Sequence, residues 1–287
     1  MKMKNKFFCI LGTYNNEKSL NFNLFKEAAK RYNLEIVCIE ADKINLDDLF
    51  DIEVTNNDLL YRIGDGINSQ LAELILNKNG ISKLSQSHGE IIWSDIIKPK
   101  KNNIPIIPMV IGISDDIKKL KKNIASLGGF PIVMKFDGES HGRGVFKANN
   151  IEEVLSFSKT LPNNTVPVMK KFIYNAKHIR CVVLGNKVLD AIEYLLDEKD
   201  FRTNVGIPNV IKFPYDEEVF SIAIDSVKAS DREWGGVDIL IDENNNKFLA
   251  EVNTPCNFSR NQLYTGTDIA GSIIEFLINK SKGKKNE

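Results

Sequence analysis

The sequence predicts an α/β protein in which a small βαβ domain precedes a larger unit rich in β-hairpins. Over residues 1–84, short apolar runs that end at turn residues alternate with segments of helical spacing. This alternation favours parallel strands joined by crossover helices. From Phe130 onward, strand-like runs are separated by glycine-rich and asparagine-rich turns, which is typical of hairpins. At 287 residues the chain is long enough for two or three modest domains.

Five elements are expected within residues 1–84, and the period of the apolar residues supports each of them. Strands appear as short continuous apolar runs, whereas helices have apolar residues three or four positions apart. The expected strands are residues 7–11, 34–39 and 59–63, and the expected helices are residues 22–32 and 69–76. The first strand, helix and second strand form a βαβ unit, whose natural pairing is parallel.

The next stretch is expected to contain two helices with extended chain between them. The helices are predicted at residues 88–101 and from Ser114 to about Leu127, with extended chain at residues 104–108. Asp115 and Asp116 lie near the start of the second helix, where carboxylates suit the positive end of the helix dipole. The lysines of these helices are typical of a solvated surface.

The composition excludes several classes of protein. Lys+Arg and Asp+Glu each total 38, so the net charge is zero, unlike that of a strongly basic nucleic-acid binder. The four cysteines include no CxxC pair, which argues against a structural zinc site and favours buried free thiols in a reducing compartment. The apolar run at residues 7–12 is too short for a signal peptide, and no segment approaches the ~18 apolar residues of a membrane span. We expect a cytoplasmic protein with no membrane or nucleic-acid partner.

A glycine-rich turn between two strand-like runs follows Lys135. Residues 137–145 read DGESHGRGV and lead into a second strand-like run. Such a hairpin can fold over polyphosphate, because backbone N–H groups in glycine loops point at phosphate oxygens. Glycine-rich hairpins without a ligand are also common, and neither a GxxxxGK[ST] P-loop nor a dinucleotide fingerprint occurs in the chain. The loop alone therefore leaves both interpretations open.

A second predicted hairpin carries acidic residues. Residues 235–242 and 247–253 flank an asparagine-rich turn and are expected to pair as antiparallel strands. The turn is expected to be centred between residues 244 and 245. The predicted partners are then Asp242 with Lys247, Leu240 with Leu249, and Asp238 with Glu251.

This pairing predicts a cation site. Asn253 shares a face with Glu251, because alternate residues of a strand point the same way. Two opposed carboxylates destabilise a sheet unless something positive lies between them. Two carboxylates and an amide fit one or two Mg²⁺ ions that also bind substrate phosphates, with a solvated sheet face as the alternative. The residues expected to face the core are Phe248, Ala250 and Val252.

Arginines mark a third region. Arg180 opens the apolar strand at residues 181–184, and Arg202 and Asn204 lie in a polar loop. Each arginine alone is typical of a surface salt bridge, although guanidinium groups are also what a phosphate or carboxylate site requires.

Taken together and in this order, these segments resemble the ATP-grasp carboxylate–amine ligases, most closely the RimK-like glutamate ligases. The resemblance covers about residues 90–280, and the motifs that carry it are HIRCVVLGNKVLDAIE, DFRTN, GGVDIL, AEVN and TGTDIA. It implies an α+β ATP-grasp fold. The domains would be a pre-ATP-grasp α/β domain at residues 1–84, a central lobe with the glycine-rich loop at 85–166, and a C-terminal lobe with the metal site at 167–287.

The resemblance also implies roles for individual residues. The metal ligands would be Asp238, Glu251 and Asn253, holding two Mg²⁺ ions, with Mn²⁺ as an alternative. The residues implied to contact ATP are Lys135 at the phosphates, Ser140, Gly142, Gly144 and Val145 in the loop over the nucleotide, Lys170, Lys171, Phe172 and Ile173 at the hinge, and His178 near the ribose. The residues implied in catalysis are Arg202 and Asn204 near the transferred phosphate and Arg180 beside the acyl acceptor.

The chain departs from the family pattern at the hinge and near Trp93. Lys170 and Lys171 replace the usual glutamine–glutamate pair, and His178 replaces an acidic residue. Residues 90–93 read EIIW, where the family has a second ATP-binding lysine. Cys256 follows the metal-ligand strand but is expected to be a small loop residue, because the implied reaction needs no protein nucleophile.

The function implied is ATP-dependent ligation of a carboxylate to an amine through an acyl phosphate, with release of ADP and phosphate. The expected substrates are small molecules or peptides, and the oligomeric state, monomer or homo-oligomer, is left open. Two alternatives remain at this point: an ATP-binding module without turnover, and an ATP-grasp phosphotransferase that forms a stable phosphorylated product.

Overall fold

In the described part of the chain, the strands form three β-sheets, and each sheet gathers its strands from one stretch of the sequence. The structure is a computed structural model that describes residues 4–12, 19–86, 94–136, 144–161, 165–195 and 209–283. Strands and helices alternate over residues 6–83, and antiparallel strand pairs dominate the rest of the described chain. This confirms the α/β class predicted from the sequence.

The first sheet is parallel throughout, with strand order β2-β1-β3-β4. Its elements are β1 (Lys6–Leu11), α1 (Leu20–Arg31), β2 (Glu35–Glu40), α2 (Leu46–Asp51), β3 (Leu59–Arg62), α3 (Ile67–Leu76) and β4 (Ser82–Lys83). Helix α1 begins at Ser19, whose hydroxyl accepts a hydrogen bond from the backbone N–H of Phe22. The three strands and two helices expected in this part of the chain are confirmed.

The second sheet is antiparallel, with strand order β5-β8-β6-β7. The elements of this part are α4 (Ser94–Lys101), β5 (Met109–Ile111), α5 (Ile117–Ser126), β6 (Ile132–Lys135), β7 (Val145–Ala148), α6 (Ile151–Lys159) and β8 (Val168–Lys171). Asp116 caps the lysine-rich helix α5 by accepting from the N–H groups of Lys118 and Lys119. The glycine-rich hairpin is confirmed by the pairing of Lys135 with Val145.

The third sheet is also antiparallel, with strand order β11-β10-β9-β12-β13. The elements of this part are β9 (Lys177–Leu184), β10 (Lys187–Tyr194), β11 (Val210–Lys212), α7 (Glu217–Ala229), β12 (Trp234–Ile241), β13 (Lys247–Asn253), α8 (Ser259–Thr265) and α9 (Ile269–Gly283). The expected boundary between the central and C-terminal lobes is at residue 166. Strand β8 lies after that boundary, yet it pairs with β5 and β6 of the second sheet. The extended chain at residues 104–108 runs along the edge of β13, where Leu249 donates to the carbonyl of Pro105.

The β12–β13 hairpin contains a bulge that changes its register. Asp238 lies opposite Glu251, as predicted, but the other two predicted pairs are wrong. The observed pairs beyond the shift are Ile239 with Leu249, Leu240 with Phe248, and Ile241 with Lys247. Ala250 is the extra residue of β13, and an extra residue locally disrupts the alternation of a strand.

The bulge also corrects the expected core face of β13. Leu249 and Val252 are buried in the core beside α7, whereas Phe248 and Ala250 are half-buried. Leu249 and Val252 are three positions apart, so a regular strand would place them on opposite faces. The extra residue lets both reach the core while Glu251 and Asn253 keep the opposite face.

One hydrophobic cluster joins the elements around the first sheet to those around the third sheet. Phe25 of α1 packs edge-on against Phe258, and Trp234 of β12 packs against both Phe258 and Tyr61 of β3. Helix α9 adds Ile273 to the same cluster.

Within the part of the chain described, no helix is long and apolar enough to cross a bilayer.

Candidate functional site

We call the junction of the second and third sheets the cleft, and strands β6 and β8 form one of its sides. Met134 and Met169 point into the core beneath α5 and α6. Because side chains alternate along a strand, Lys135 and Lys170 lie on the opposite face. The contacts of both lysines with β13 confirm that this face is directed at the C-terminal lobe.

Two contacts cross the cleft. The Nζ atom of Lys135 lies 3.3 Å from Oε1 of Glu251, and Nζ of Lys170 donates to the carbonyl oxygen of Ala250 over 3.3 Å. Because the extra residue of a bulge is left out of the ladder, the Ala250 carbonyl is accessible to a side chain from across the cleft. The bulge thus supplies the carbonyl that Lys170 contacts, and it orients Glu251 for its contact with Lys135.

Asp238 is the most extensively bonded carboxylate of the site. The Nε and Nη2 atoms of Arg180 donate to its two oxygens over 2.7 and 2.9 Å. Nε2 of His178 lies 3.0 Å from Oδ1, and Nδ2 of Asn253 donates to Oδ2 over 3.1 Å. Register explains this convergence, because Asp238 pairs with Arg180 on β9 and with Glu251 on β13. The sequence predicts a positive group between the opposed carboxylates of Asp238 and Glu251. Beside Asp238, that group is the guanidinium of Arg180.

These neighbours keep Asp238 ionised. Burial alone would raise the pKa of Asp238, but the charges of Arg180 and His178 outweigh it and lower the pKa to about 2. Burial would likewise lower the pKa of Arg180, but the charge of Asp238 raises that pKa above its ordinary value. The pair therefore stays charged at any physiological pH.

Gly236 provides the space that this arrangement requires. A Cβ atom at Gly236 would lie 2.5 Å from Nη1 of Arg180 and 2.5 Å from Sγ of Cys256. Burial raises the pKa of the Cys256 thiol to about 11, so the group is a thiol at neutral pH. This agrees with a small loop residue and not with a covalent catalyst.

The expected nucleotide loop is described at its end only. Gly144 has a φ of 76°, which a glycine adopts without strain, and Val145 starts β7 beside Lys135. Ser140 and Gly142 lie outside the described residues, and so do Arg202 and Asn204 of the expected catalytic group.

The expected hinge follows β8. The backbone N–H of Lys171 donates to the carbonyl of Pro108, and the side chain of Lys171 is exposed. The ring of Phe172 has the Lys147 ammonium 4.3 Å from its centroid, and Ile173 is half-buried beside it in sequence. The resemblance implies that His178 lies near the ribose of ATP. In the structure, Nε2 of His178 lies 3.0 Å from Oδ1 of Asp238.

The donor set of Asp238, Glu251 and Asn253 suits a divalent cation. Two carboxylates and an amide lie side by side, and Asn253 uses its nitrogen toward Asp238, so its amide oxygen is directed elsewhere. Among the described residues, no three His, Cys, Asp or Glu side chains are grouped to hold an ion by themselves. The set fits Mg²⁺, which is commonly bound by one or two carboxylates together with substrate phosphates.

Several residues that the sequence did not single out support the site. The ring of Tyr194 on β10 packs at a tilt of 53° against the ring of His178, with the centroids 4.8 Å apart. The Arg260 guanidinium lies 5.6 Å from the centroid of Tyr194. Asp190 of β10 accepts from Nδ2 of Asn261 on α8 and from the hydroxyl of Thr267 in the turn that follows α8. These bonds hold α8 and the turn against β10. Asp190 lies in the motif HIRCVVLGNKVLDAIE and Thr267 lies in TGTDIA. Their place in these motifs is the sequence signal that could have identified both residues.

The chain is similar to known proteins of one family. The RimK-like ATP-grasp domain family matches residues 95–277, well over half of the chain. A probable alpha-L-glutamate ligase of Shewanella loihica (strain ATCC BAA-1088 / PV-4) is 32% identical over 183 residues, which cover 61% of this chain and 59% of that protein. A protein of the same name from Vibrio parahaemolyticus serotype O3:K6 (strain RIMD 2210633) is 31% identical over 178 residues, covering 60% and 57%. The chain thus spans less than two thirds of the length of these curated relatives.

Solved structures share the fold along nearly the whole chain. D-alanine–D-alanine ligase from Bacillus anthracis matches with a TM-score of 0.69 and 19% identity, covering 98% of this chain and 99% of that one. The D-cycloserine synthetase DcsG matches with a TM-score of 0.73 and 12% identity, covering 96% and 100%. ATP-grasp ligase PsnB, complexed with a minimal precursor, matches with a TM-score of 0.70 and 14% identity, covering 95% and 99%. At such identities the likeness to solved structures shows the fold alone. The family model that matches residues 95–277 shows that the chain belongs to the RimK-like ATP-grasp family.

Proposed function

We propose that the protein is an ATP-dependent carboxylate–amine ligase that forms an amide or peptide bond and releases ADP and phosphate. The observation that carries the proposal is the convergence of Asp238, Glu251 and Asn253 on one wall of the cleft, with Lys135 3.3 Å from Glu251 across it. A cleft with carboxylates and an amide on one wall and ammonium groups on the other suits a polyphosphate held together with a divalent cation. Membership in the RimK-like family supports the same activity.

The roles of the described residues follow from their placement. Asp238, Glu251 and Asn253 would hold Mg²⁺, taken to be two ions with Mn²⁺ as an alternative, and the bound cation would offset the negative charge of the phosphates. Lys135 would bind and orient phosphate oxygens. Arg180 keeps Asp238 charged and fixed in direction, so its contribution near the acyl acceptor would be positional.

The proposed chemistry has two steps. A carboxylate oxygen of the substrate attacks the γ-phosphorus of ATP, the bond from that phosphorus to the bridging β–γ oxygen breaks, and an acyl phosphate and ADP form. The amine nitrogen then attacks the acyl carbon, phosphate leaves with its electron pair, and the nitrogen loses a proton. A carboxylate is a poor electrophile, so activation by ATP is what makes the second step accessible. Arg202 and Asn204 are proposed to act near the transferred phosphate.

The substrate class is proposed from the relatives. Alpha-L-glutamate ligase is the name of the curated relatives, and the matched structures include a D-alanine–D-alanine ligase and a ligase complexed with a precursor peptide. We therefore propose an amino acid or peptide carboxylate and an amine of similar size as substrates of a cytoplasmic enzyme.

The test begins with nucleotide binding and continues to product analysis. ATP binding is measured with and without Mg²⁺, and ADP release is then measured against a panel of amino acids and dipeptides. We expect Mg²⁺-dependent binding, ADP release with at least one substrate pair, and an amide in the product by mass spectrometry. A phosphate ester would indicate a phosphotransferase. ATP binding without ADP release under every condition would indicate a module without turnover.

The variant Glu251→Ala provides the decisive comparison. We expect it to lose ATP turnover while its circular dichroism spectrum stays unchanged, because the Glu251 side chain is half-exposed in the cleft and its removal leaves the core intact. Turnover at the wild-type rate in this variant would refute the metal site.

A further inference from the structure

Lys170 is a buried lysine, 8% exposed, on the cleft face of β8. In the ladder it lies opposite Val133, so it is a diagonal neighbour of Lys135 on the same face. Diagonal neighbours in an antiparallel pair are about 7–8 Å apart, within reach of long side chains. Two lysines therefore project together toward the residues that precede and include Glu251.

The electrostatics of this corner of the cleft favour an added anion. Burial, reinforced by the charge of Lys135, lowers the pKa of Lys170 to about 8, and the charge of Glu251 opposes that shift. At neutral pH most of the Lys170 population is still an ammonium. If Glu251 holds a cation, as proposed above, its charge is shared with that cation and stabilises the two lysines less. A polyphosphate is then the anion that would balance both ammonium groups.

We propose that Lys170 is a second phosphate-binding ammonium, which grips the nucleotide from β8 while Lys135 grips it from β6. The carbonyl of Ala250 accepts a hydrogen bond from Lys170 and holds its side chain beside the residue that precedes Glu251. On binding, the ammonium exchanges this neutral acceptor for a charged phosphate oxygen, and a charge-assisted hydrogen bond is the stronger of the two. The inference rests on the proposed ATP-dependent function and adds to it a second lysine that contacts the phosphates.

The test separates phosphate contacts from base contacts. Dissociation constants of ATP, ADP and adenosine are measured for the wild type and for Lys170→Gln, by competition with a fluorescent nucleotide and by calorimetry. We expect ATP and ADP to bind about tenfold or more weakly to the variant, as the loss of one charge-assisted hydrogen bond predicts. Adenosine should bind both proteins equally. The weakening should shrink as salt is raised, because the lost interaction is ionic.

Three further variants serve as controls. Lys170→Arg keeps the positive charge and should retain most of the affinity for ATP. Lys121→Gln removes the same charge from the exposed surface of α5 in the same lobe, and should change the affinity less than twofold, since exposed charges interact weakly. Lys170→Met fills the same space without a charge and replaces the glutamine variant in the comparison if that variant fails to fold, as judged by circular dichroism.

The outcomes discriminate between the proposals. The inference is refuted if a folded, uncharged variant at position 170 binds ATP as tightly as the wild type, or if adenosine and ATP lose affinity equally. Equal losses for Lys170→Arg and Lys170→Gln would also refute it, because shape and not charge would then be responsible. A wild-type protein that binds no nucleotide would instead refute the ligase proposal on which the inference rests.

Discussion

At the scale of single residues, the site depends on a buried ion pair between strands. The side chains of Arg180 and Asp238 are 12% and 5% exposed, and they are joined by two hydrogen bonds. Taking two charges out of water is costly, so such a pair contributes little net stability but strongly penalises the loss of one partner. The pair therefore fixes where the Asp238 carboxylate points more than it stabilises the fold.

The variant Arg180→Met should lower the free energy of unfolding by about 3 kcal/mol, because it leaves the buried Asp238 with fewer compensating charges. Urea denaturation measures the change. The matched control is Arg31→Met, which removes an exposed partner of Asp268 and should cost less than ~1 kcal/mol. Equal losses in the two variants would contradict the penalty assigned to burial.

Thiol reactivity should follow burial and pKa. At pH 8, a thiol with a pKa of about 11 is thiolate on the order of 0.1% of the time. We expect iodoacetamide to leave Cys256 and the buried Cys9 unmodified in the folded protein, and to modify half-buried Cys38 first. Raising the pH toward 11 should accelerate the modification of Cys256. Peptide mapping by mass spectrometry follows each site, and rapid alkylation of Cys256 at pH 8 would refute its assignment as an inert loop residue.

At the scale of elements, the site is a product of strand register. Strands β9, β12 and β13 each contribute one of the paired residues Arg180, Asp238 and Glu251. The bulge at Ala250 lets β13 bury Leu249 and Val252 while it keeps Glu251 in the cleft. Gly236 completes the arrangement, since any side chain there would collide with Arg180.

The variant Gly236→Ala should therefore displace Arg180 and cost about 1–3 kcal/mol, the usual range for overpacking a closely packed site. It should also weaken Mg²⁺-dependent ATP binding. In contrast, Gly66→Ala adds a Cβ that meets nothing within 4 Å. We expect it to cost only the roughly 0.5–1 kcal/mol by which alanine caps a helix less well than glycine, with no change in nucleotide binding. Denaturation curves and nucleotide titrations measure both variants. A Gly236→Ala protein with unaltered stability and binding would show that Arg180 does not need this space.

At the scale of the whole molecule, the parts of the chain around the first and third sheets share one core. The rings of Phe25, Tyr61, Trp234 and Phe258 pack together across the two parts. Helix α9, at the end of the described chain, packs against α1 and completes the cluster. Continuous burial of this kind couples the unfolding of the two parts.

The variant Phe258→Ala should lower stability by about 3–5 kcal/mol, as expected for a fully buried aromatic side chain. Tryptophan fluorescence and far-UV circular dichroism should still report one coincident transition. The control Phe50→Ala truncates a ring that is 57% exposed and should change stability by less than ~0.5 kcal/mol. Two separated transitions in the wild-type protein would refute the shared core.

Local patterns predicted the elements well because their causes are local. The βαβ unit, the glycine-rich hairpin and the acidic hairpin were each indicated by apolar period and turn residues, and each is confirmed. The predicted pairing of Leu240 with Leu249 failed because the hairpin turn and the bulge shift the register in opposite senses. Those two shifts cancel at Asp238, so the predicted partner of Glu251 was nevertheless correct.

The sequence by itself determined the fold class, the family resemblance and the candidate oxygen ligands on β12 and β13. Tertiary structure decided what surrounds those ligands. It placed His178 and Arg180 against Asp238, and Lys170 across the cleft beside Glu251. The reason is physical: alternation and turn chemistry act over a few residues, whereas burial and charge pairing join residues that are 58 to 80 positions apart in the chain.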